Sequence, residues 1–129
     1  MNEVAPLDGR VARDTAGAHN WVMGERMDLK CEIVQWVCDE PQPGIVEARF
    51  TDAAGKSWVL FDKSAIFTAV AINGGSAYPL VGVVRCEVLD RRRSASGGSV
   101  VRVRAIDSPM TEGDIEQFEV EESLLTQPA

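Results

Sequence analysis

Two apolar runs separated by a short polar segment lie near the middle of the chain, at residues 45–51 and 56–63. Their spacing and the residues between them predict a β-hairpin. Asp52 can accept hydrogen bonds from the backbone of the turn, and Gly55 can adopt the left-handed conformation that closes a three-residue loop. The pattern indicates that the chain is built from β-strands.

The predicted loop also determines which residues of the two strands face each other. It places Phe50 opposite Trp58 and Ala48 opposite Leu60, all on one face of the hairpin. Because apolar pairs stabilise a sheet when they stack across neighbouring strands, we expect this face to lie in the core.

The second strand of the hairpin is apolar on both faces, since Val59 and Phe61 alternate with the inward-facing residues. Each face therefore needs a cover. We expect the cover to come from the same chain, from residues 65–72, whose pattern fits either a strand or a helical turn. The alternative cover is a second copy of the chain, in a homodimer through the strand at 57–63.

Four further segments have the composition of strands and are bounded by turn residues: 29–38, 80–90, 100–106 and 117–121. In the first segment the apolar positions move from one face to the other after Ile33, which predicts a bulge or a sharp bend. The polar, Gly-rich residues 91–99 are expected to form a mobile loop within a second hairpin.

The number of strands and the frequent turns predict a mostly β fold, a small five- to six-stranded antiparallel barrel or half-barrel. Closing the sheet removes edges that would otherwise stay exposed. A two-sheet β-sandwich is the alternative. We assign residues 27–125 to a single barrel-like domain, and residues 1–26, which show no strand period, to a flexible N-terminal extension.

Size and composition agree with one soluble domain. The chain has 129 residues, of which 45% are apolar, and a net charge of −7. Its apolar runs are too short to span a bilayer, and its first residues do not have the pattern of a secretory signal. The three cysteines are an odd number, unlike the even sets of secreted disulfide scaffolds, so we predict reduced thiols in a cytoplasmic protein.

Charge is unevenly distributed along the chain. Residues 91–104 contain five arginines and no acid, whereas residues 105–129 contain seven acids and no base. We predict that the arginine-rich segment lies beside the acidic tail within the molecule. The negative total disfavours non-specific binding to nucleic acids or to anionic membranes.

The residue patterns of the common catalytic and metal sites are missing. The single histidine, His19, lies in the predicted extension, which disfavours a nucleophile activated by a histidine base. Residues 54–57 end like a phosphate-binding loop, but Phe50 stands where that motif needs glycine, and a strand follows instead of a helix. The spacing of the cysteines does not fit a zinc site. We therefore predict no enzyme activity, no cofactor and no metal.

These observations favour a non-catalytic, small acidic binding protein that acts through protein–protein contacts with a basic partner. The size and charge resemble those of small acidic bacterial proteins that neutralise a toxin, so an immunity-type inhibitor of a basic toxin or enzyme is one form of this hypothesis. The partner would meet acids of one turn and of the C-terminal tail, namely Asp39, Glu40, Glu119, Glu121 and Glu122.

Two alternatives stay open. A small barrel can bind single-stranded nucleic acid by stacking bases on aromatic rings, with the phosphates held by Arg91, Arg92, Arg93, Arg102 and Arg104. The other alternative is a self-assembling structural protein that is joined through the two-faced strand at 57–63.

Overall fold

A computed structural model describes residues 24–128 and shows one antiparallel sheet that curls into a half-barrel. The predicted mostly β half-barrel is thus confirmed, with more strands than expected. Along the sheet the strands follow the order β6-β3-β2-β1-β4-β5-β7, and β8 pairs with β1. Their bounds are β1 Arg26–Cys38, β2 Ile45–Thr51, β3 Ser57–Lys63, β4 Leu80–Arg93, β5 Ser99–Ala105, β6 Met110–Thr111, β7 Gln117–Glu121 and β8 Leu125–Thr126.

The central hairpin of β2 and β3 has the predicted register. Phe50 pairs with Trp58 and Ala48 pairs with Leu60. Gly55 has a φ of +89°, the left-handed conformation that the three-residue loop requires. The local chemistry of this turn was therefore sufficient to place about a quarter of the sheet.

Strand β1 is long because it serves two partners, β4 along residues 26–33 and β2 along residues 32–38. Its register with β2 shifts between Ile33 and Gln35, where the apolar pattern changes faces, so the predicted bulge is confirmed. The part of β1 that β2 leaves free is paired at Asp28 and Leu29 by β8. The C-terminal strand thereby fills a gap in the curled sheet.

The sheet curls far enough for β7 to reach the β2–β3 hairpin. The ring of Phe118 meets the rings of Phe50 and Trp58 edge-on, with centroids 5.0 and 5.1 Å apart. The Ala53 N–H donates to the Glu119 carbonyl at 2.8 Å. These rings belong to a single core whose largest fully buried side chains include Phe67, Leu29, Ile33, Leu60, Val46, Val84, Val88, Val101, Val103 and Val120.

Residues 65–72 do not form a strand. A short helix, α1, spans Ser64–Phe67, and the side chain of its last residue, Phe67, is buried in the core. Of the following residues, Val70 is exposed and Ile72 packs against the core. The segment therefore covers the inner face of the hairpin, and its outer face keeps only the partial cover described below.

The second hairpin is longer than its sequence pattern indicates. Strand β4 continues through Arg93, so residues 91–93 pair with β5 instead of forming a loop, and only residues 94–98 make the turn. These three arginines are all exposed, and a run of three arginines has no apolar alternation that would mark it as a strand.

At the N-terminal side, the sheet begins at Arg26, and the backbone of the two residues before it is hydrogen-bonded to β4. The Gly24 N–H donates to the Val88 carbonyl at 2.7 Å, and the Val88 N–H donates to the Glu25 carbonyl at 2.8 Å. The rest of the predicted extension, together with His19, lies outside the described residues. Within the described part of the chain, the helices are too short to cross a bilayer.

Candidate functional site

Two concave surfaces lie at opposite ends of the β2–β3 hairpin. The first, which we call the β7 cleft, runs between the β2–β3 turn and the β4–β5 turn, along β7, and has a volume of about 410 Å³. Trp58 and Phe118 contribute its apolar wall, and Asp52, Arg92, Glu119 and Glu121 contribute its charges. This cleft therefore contains three of the residues that the charge pattern singled out, Arg92, Glu119 and Glu121.

Asp52 organises the turn at the edge of the β7 cleft. Its carboxylate accepts the N–H groups of Ala54 and Lys56 at 2.9 Å and the Trp58 Nε1–H at 2.8 Å. Burial alone would raise the pKa of Asp52, but these hydrogen bonds, the strongest of them from Trp58, hold that pKa below its usual value. The charge of Asp52 is thus used to hold the hairpin in shape.

The arginine-rich strands lie beside acids of the same molecule, as predicted. Arg92 Nη2 donates to Glu119 Oε1 at 2.9 Å, across β4, β5 and β7. Arg102 pairs with Asp90 and also donates from Nη1 to Gln117 Oε1 at 2.9 Å. The pairing of β5 with β7 confirms that the arginine-rich segment lies beside the acidic tail. Of these two ion pairs, only that of Arg92 uses an acid of the tail.

The remaining arginines of the nucleic-acid alternative also have partners. Arg104 pairs with Glu87 across β4 and β5. Arg93 Nη1 donates to the Gly97 carbonyl at 3.4 Å, and Arg91 is engaged in a contact as well. A phosphate would therefore have to compete with groups that these side chains already meet.

The five acids of the predicted protein-binding surface do not form one patch. Glu119, Glu121 and Glu122 lie on β7 and in the 3-10 turn after it, at the β7 cleft end. Asp39 and Glu40 lie in the β1–β2 loop, at the other end of β2. Strand β2 separates the two groups by about 20 Å, given the rise of 3.4 Å per residue in an antiparallel strand.

The second concave surface, which we call the edge groove, lies on the outer face of β2 and β3 and is bounded by β6. It has a volume of about 600 Å³. Phe61, half-buried, pairs with Met110 of β6, whose side chain is 67% exposed. The groove is thus the incompletely covered outer face of the two-faced strand, and its apolar lining is Pro41, Ile45, Phe61, Pro109 and Met110.

Charged side chains rim the edge groove, with three acids, Asp62, Asp114 and Glu116, and one base, Lys63. The Asp62 carboxylate accepts the Lys63 backbone N–H at 2.7 Å. In residues 24–128, none of the three acids forms an ion pair. The Asp39–Glu40 turn precedes Pro41 at one end of the groove, so the acidic character continues there.

A buried carboxylate lies next to the edge groove, on the strand that pairs with Phe61. Glu47, only 5% exposed, lies opposite Phe61 on the outer face of the hairpin. Gln35 Nε2 donates to it at 2.7 Å and Arg49 Nε at 2.9 Å. The hydrogen bond from Gln35 and the neighbouring Arg49 lower the pKa of Glu47 despite its burial, so it remains charged and satisfied.

The cysteines do not contribute to either surface. Cys31 and Cys86 are buried in the core, and burial raises the pKa of each thiol to about 12. They pack as protonated, apolar side chains. The third, Cys38, is exposed, and its Sγ donates to the Glu40 carbonyl at 3.1 Å.

Sequence reasoning missed most of the edge groove. It identified the apolar outer face of Phe61, but not Met110, Asp114 or Glu116, which come from a segment without a strand pattern. The one available signal was an isolated Pro109–Met110 pair between polar residues. The chain has no significant match to any known protein family, curated protein or solved structure.

Proposed function

We propose that this chain is a non-catalytic binding protein for a basic protein partner. The observation that carries the proposal is the contrast in how charges are used. Arg92, Arg102 and Arg104 are neutralised by acids of the same chain. Acids at the other end of the hairpin, Asp114 and Glu116 among them, have no ion pair in the described chain.

A surface of this kind attracts a basic partner. Unpaired carboxylates keep their field outside the protein, whereas ion-paired ones largely cancel theirs. Such a field speeds encounter with a positively charged surface and rejects acidic competitors, and salt weakens it. An immunity-type inhibitor of a basic toxin or enzyme would work in this way, and size and charge support that form of the proposal.

The nucleic-acid alternative gains no support from the arrangement of its residues. Four of its five arginines meet acids or a carbonyl of the same chain, and Arg91 is also engaged in a contact. The rings that could stack on bases are those of Trp36, Trp58, Phe50 and Phe61. Of these, Phe50 is buried and Trp58 packs against Phe118. Self-assembly through β3 stays a prediction that the experiments below address.

Salt-dependent capture tests the proposal. The immobilised full chain is exposed to a protein mixture at low ionic strength and eluted with salt, and the isoelectric points of the retained proteins are compared with those of the input. We expect basic proteins to be enriched and to elute as salt rises. Retention of no protein at low salt, or retention without regard to charge, contradicts the proposal.

A pair of matched variants locates the charge that matters. One variant neutralises rim acids by Asp62→Asn, Asp114→Asn and Glu116→Gln. The control variant neutralises the same number elsewhere by Glu25→Gln and Glu32→Gln together with Asp28→Asn. Because both variants have the same net charge, only a local role of the rim acids predicts that the first loses more of the basic proteins than the second.

A further inference from the structure

The edge groove has an apolar lining that charge alone does not explain. We propose that it docks a short extended segment of the partner, one that carries a large apolar side chain between basic residues. This inference rests on the proposed function and specifies its binding site. The inference rests on two neighbouring features. An exposed apolar groove is rimmed by acids that have no ion pair in the described chain, and it lies beside a sheet edge that has no strand partner there.

The apolar part of the segment follows from the lining. Met110 is 67% exposed although it lies in a strand next to the half-buried Phe61. Ile45 extends this apolar surface on the neighbouring strand. Water is excluded from such a surface only when an apolar group from elsewhere is placed on it, and that burial is favourable.

The basic part of the segment follows from the rim. Three acids and one base line the groove, and the acids have no ion pair within residues 24–128. A lysine or arginine beside the apolar anchor would meet Asp62 at one side or Asp114 and Glu116 at the other. Acidic or neutral segments would leave these carboxylates without a partner, so the rim selects for charge.

The extended conformation follows from the shape and the edge. The groove is about 600 Å³, a size suited to a few side chains and too small for a folded domain to enter. Strand β6 ends the strand order, so its outer edge has no strand partner in the described sheet. A strand added to this edge can gain backbone hydrogen bonds while alternate side chains point into the groove.

Nuclear magnetic resonance with synthetic peptides tests the inference on the full chain. The probe is a twelve-residue peptide with a central leucine between two arginines in a Thr- and Ser-rich background. One matched peptide replaces the leucine with serine, and another replaces both arginines with glutamate. We expect the probe to shift the amide resonances of Ile45, Phe61 and Met110, with binding at least about tenfold weaker for either matched peptide.

Two exposed apolar residues provide a matched pair of variants. Met110→Ser removes the groove side chain, whereas Val81→Ser changes an equally exposed residue of β4 that does not line the groove. We expect roughly tenfold weaker probe binding for Met110→Ser and unchanged binding for Val81→Ser. Circular dichroism confirms that both variants keep the β fold.

The outcomes separate this inference from the proposed function. If basic proteins are captured but the probe shifts resonances elsewhere, or the serine peptide binds equally well, the groove is not the docking site and the proposed function stands. If neither basic proteins nor the probe bind at low salt, both fail. If sedimentation shows a dimer that Met110→Ser dissociates, a second copy occupies the groove and the inference is wrong.

Discussion

The two ends of the β2–β3 hairpin use charge in different ways. At the β7 cleft, Asp52 binds the turn and Trp58, and Glu119 binds Arg92, so three of the four charged groups that line it meet groups of the same chain. Glu121, the fourth, has no ion pair among residues 24–128. At the edge groove, Asp114 and Glu116 have no ion pair among residues 24–128. Charges at the first end are mostly used in contacts within the molecule, whereas those at the second end act on the surroundings.

From this difference we infer that the two ends of the hairpin contribute separately to stability and to binding. A carboxylate that accepts three hydrogen bonds from its own chain stabilises the fold. Those donors also reduce the electric field that the carboxylate exerts outside the protein. A carboxylate without a counterion adds little to stability and can repel its acidic neighbours. We therefore expect substitutions at the β7 cleft to affect unfolding and substitutions at the edge groove to affect association.

The largest effect on stability is expected for Phe118→Ala. This buried ring joins β7 to the rings of Phe50 and Trp58, so its removal leaves a cavity where the sheet curls back on itself. We expect a loss of about 3–5 kcal/mol in the free energy of unfolding, measured by chemical denaturation. A loss below about 1 kcal/mol would show that β7 is not held by this contact.

A smaller loss is expected for Asp52→Ala, which removes all three hydrogen bonds of the carboxylate. The turn is partly exposed, so water replaces some of them, and we expect a loss of about 1–2 kcal/mol. Asp62→Ala serves as the control, since its carboxylate accepts only one adjacent backbone N–H. Equal losses for the two variants would remove the distinction between the two ends.

The dependence of stability on acid pH should show the contribution of the Asp52 charge. The pKa of Asp52 is lower in the folded chain than its usual value, so the stabilisation is complete above the unfolded pKa of about 4. It is lost as pH falls through the lower, folded-state pKa. Asp52→Asn should therefore flatten the decrease in melting temperature that the parent chain shows as pH falls below about 4.

A still smaller effect is expected for Arg92→Ala. Its ion pair with Glu119 lies on the surface, where both side chains are about half exposed and water and salt screen the attraction. We expect a smaller loss of stability than for Asp52→Ala, and a double-mutant cycle with Glu119→Gln isolates the contribution of the pair. A coupling energy near zero would mean that the ion pair does not stabilise the fold. Its only effect would then be to keep Arg92 from contacting another group.

The smallest effect on stability is expected when Asp114→Asn is combined with Glu116→Gln. Neither acid has an ion pair in the described chain, so the change should stay within about 0.5 kcal/mol. Asparagine also tolerates the positive φ of +55° at position 114. A large destabilisation in thermal unfolding would show that these acids serve the fold instead of a partner.

Local chemistry explains which parts of this molecule could be foreseen. The hairpin followed from Asp52, Gly55 and alternating residues, and the bend of β1 followed from a change of faces after Ile33. The pairing of Arg92 with Glu119 followed from opposite charges on segments expected to be neighbours. Each of these inferences needed only residues close in sequence or a simple balance of charge.

The remaining features depend on tertiary contacts that leave little mark on the sequence. Strands β6 and β8 have two residues each, too few for any alternation. The helix at Ser64–Phe67 buries one aromatic ring in a pattern equally suited to a strand. The edge groove forms only where the β1–β2 loop, β3 and the residues around Met110 meet, so no single segment encodes it.

The pairing of β8 with β1 has a consequence for how the chain is made. Asp28 and Leu29 near one end meet Thr126 and Leu125 near the other, so this contact closes the longest loop in the sheet. During synthesis, the N-terminal half of β1 is made early. Its edge opposite β4 stays unpaired until β8 has been made. We expect nascent chains arrested before residue 125 to recruit chaperones or to aggregate through that edge.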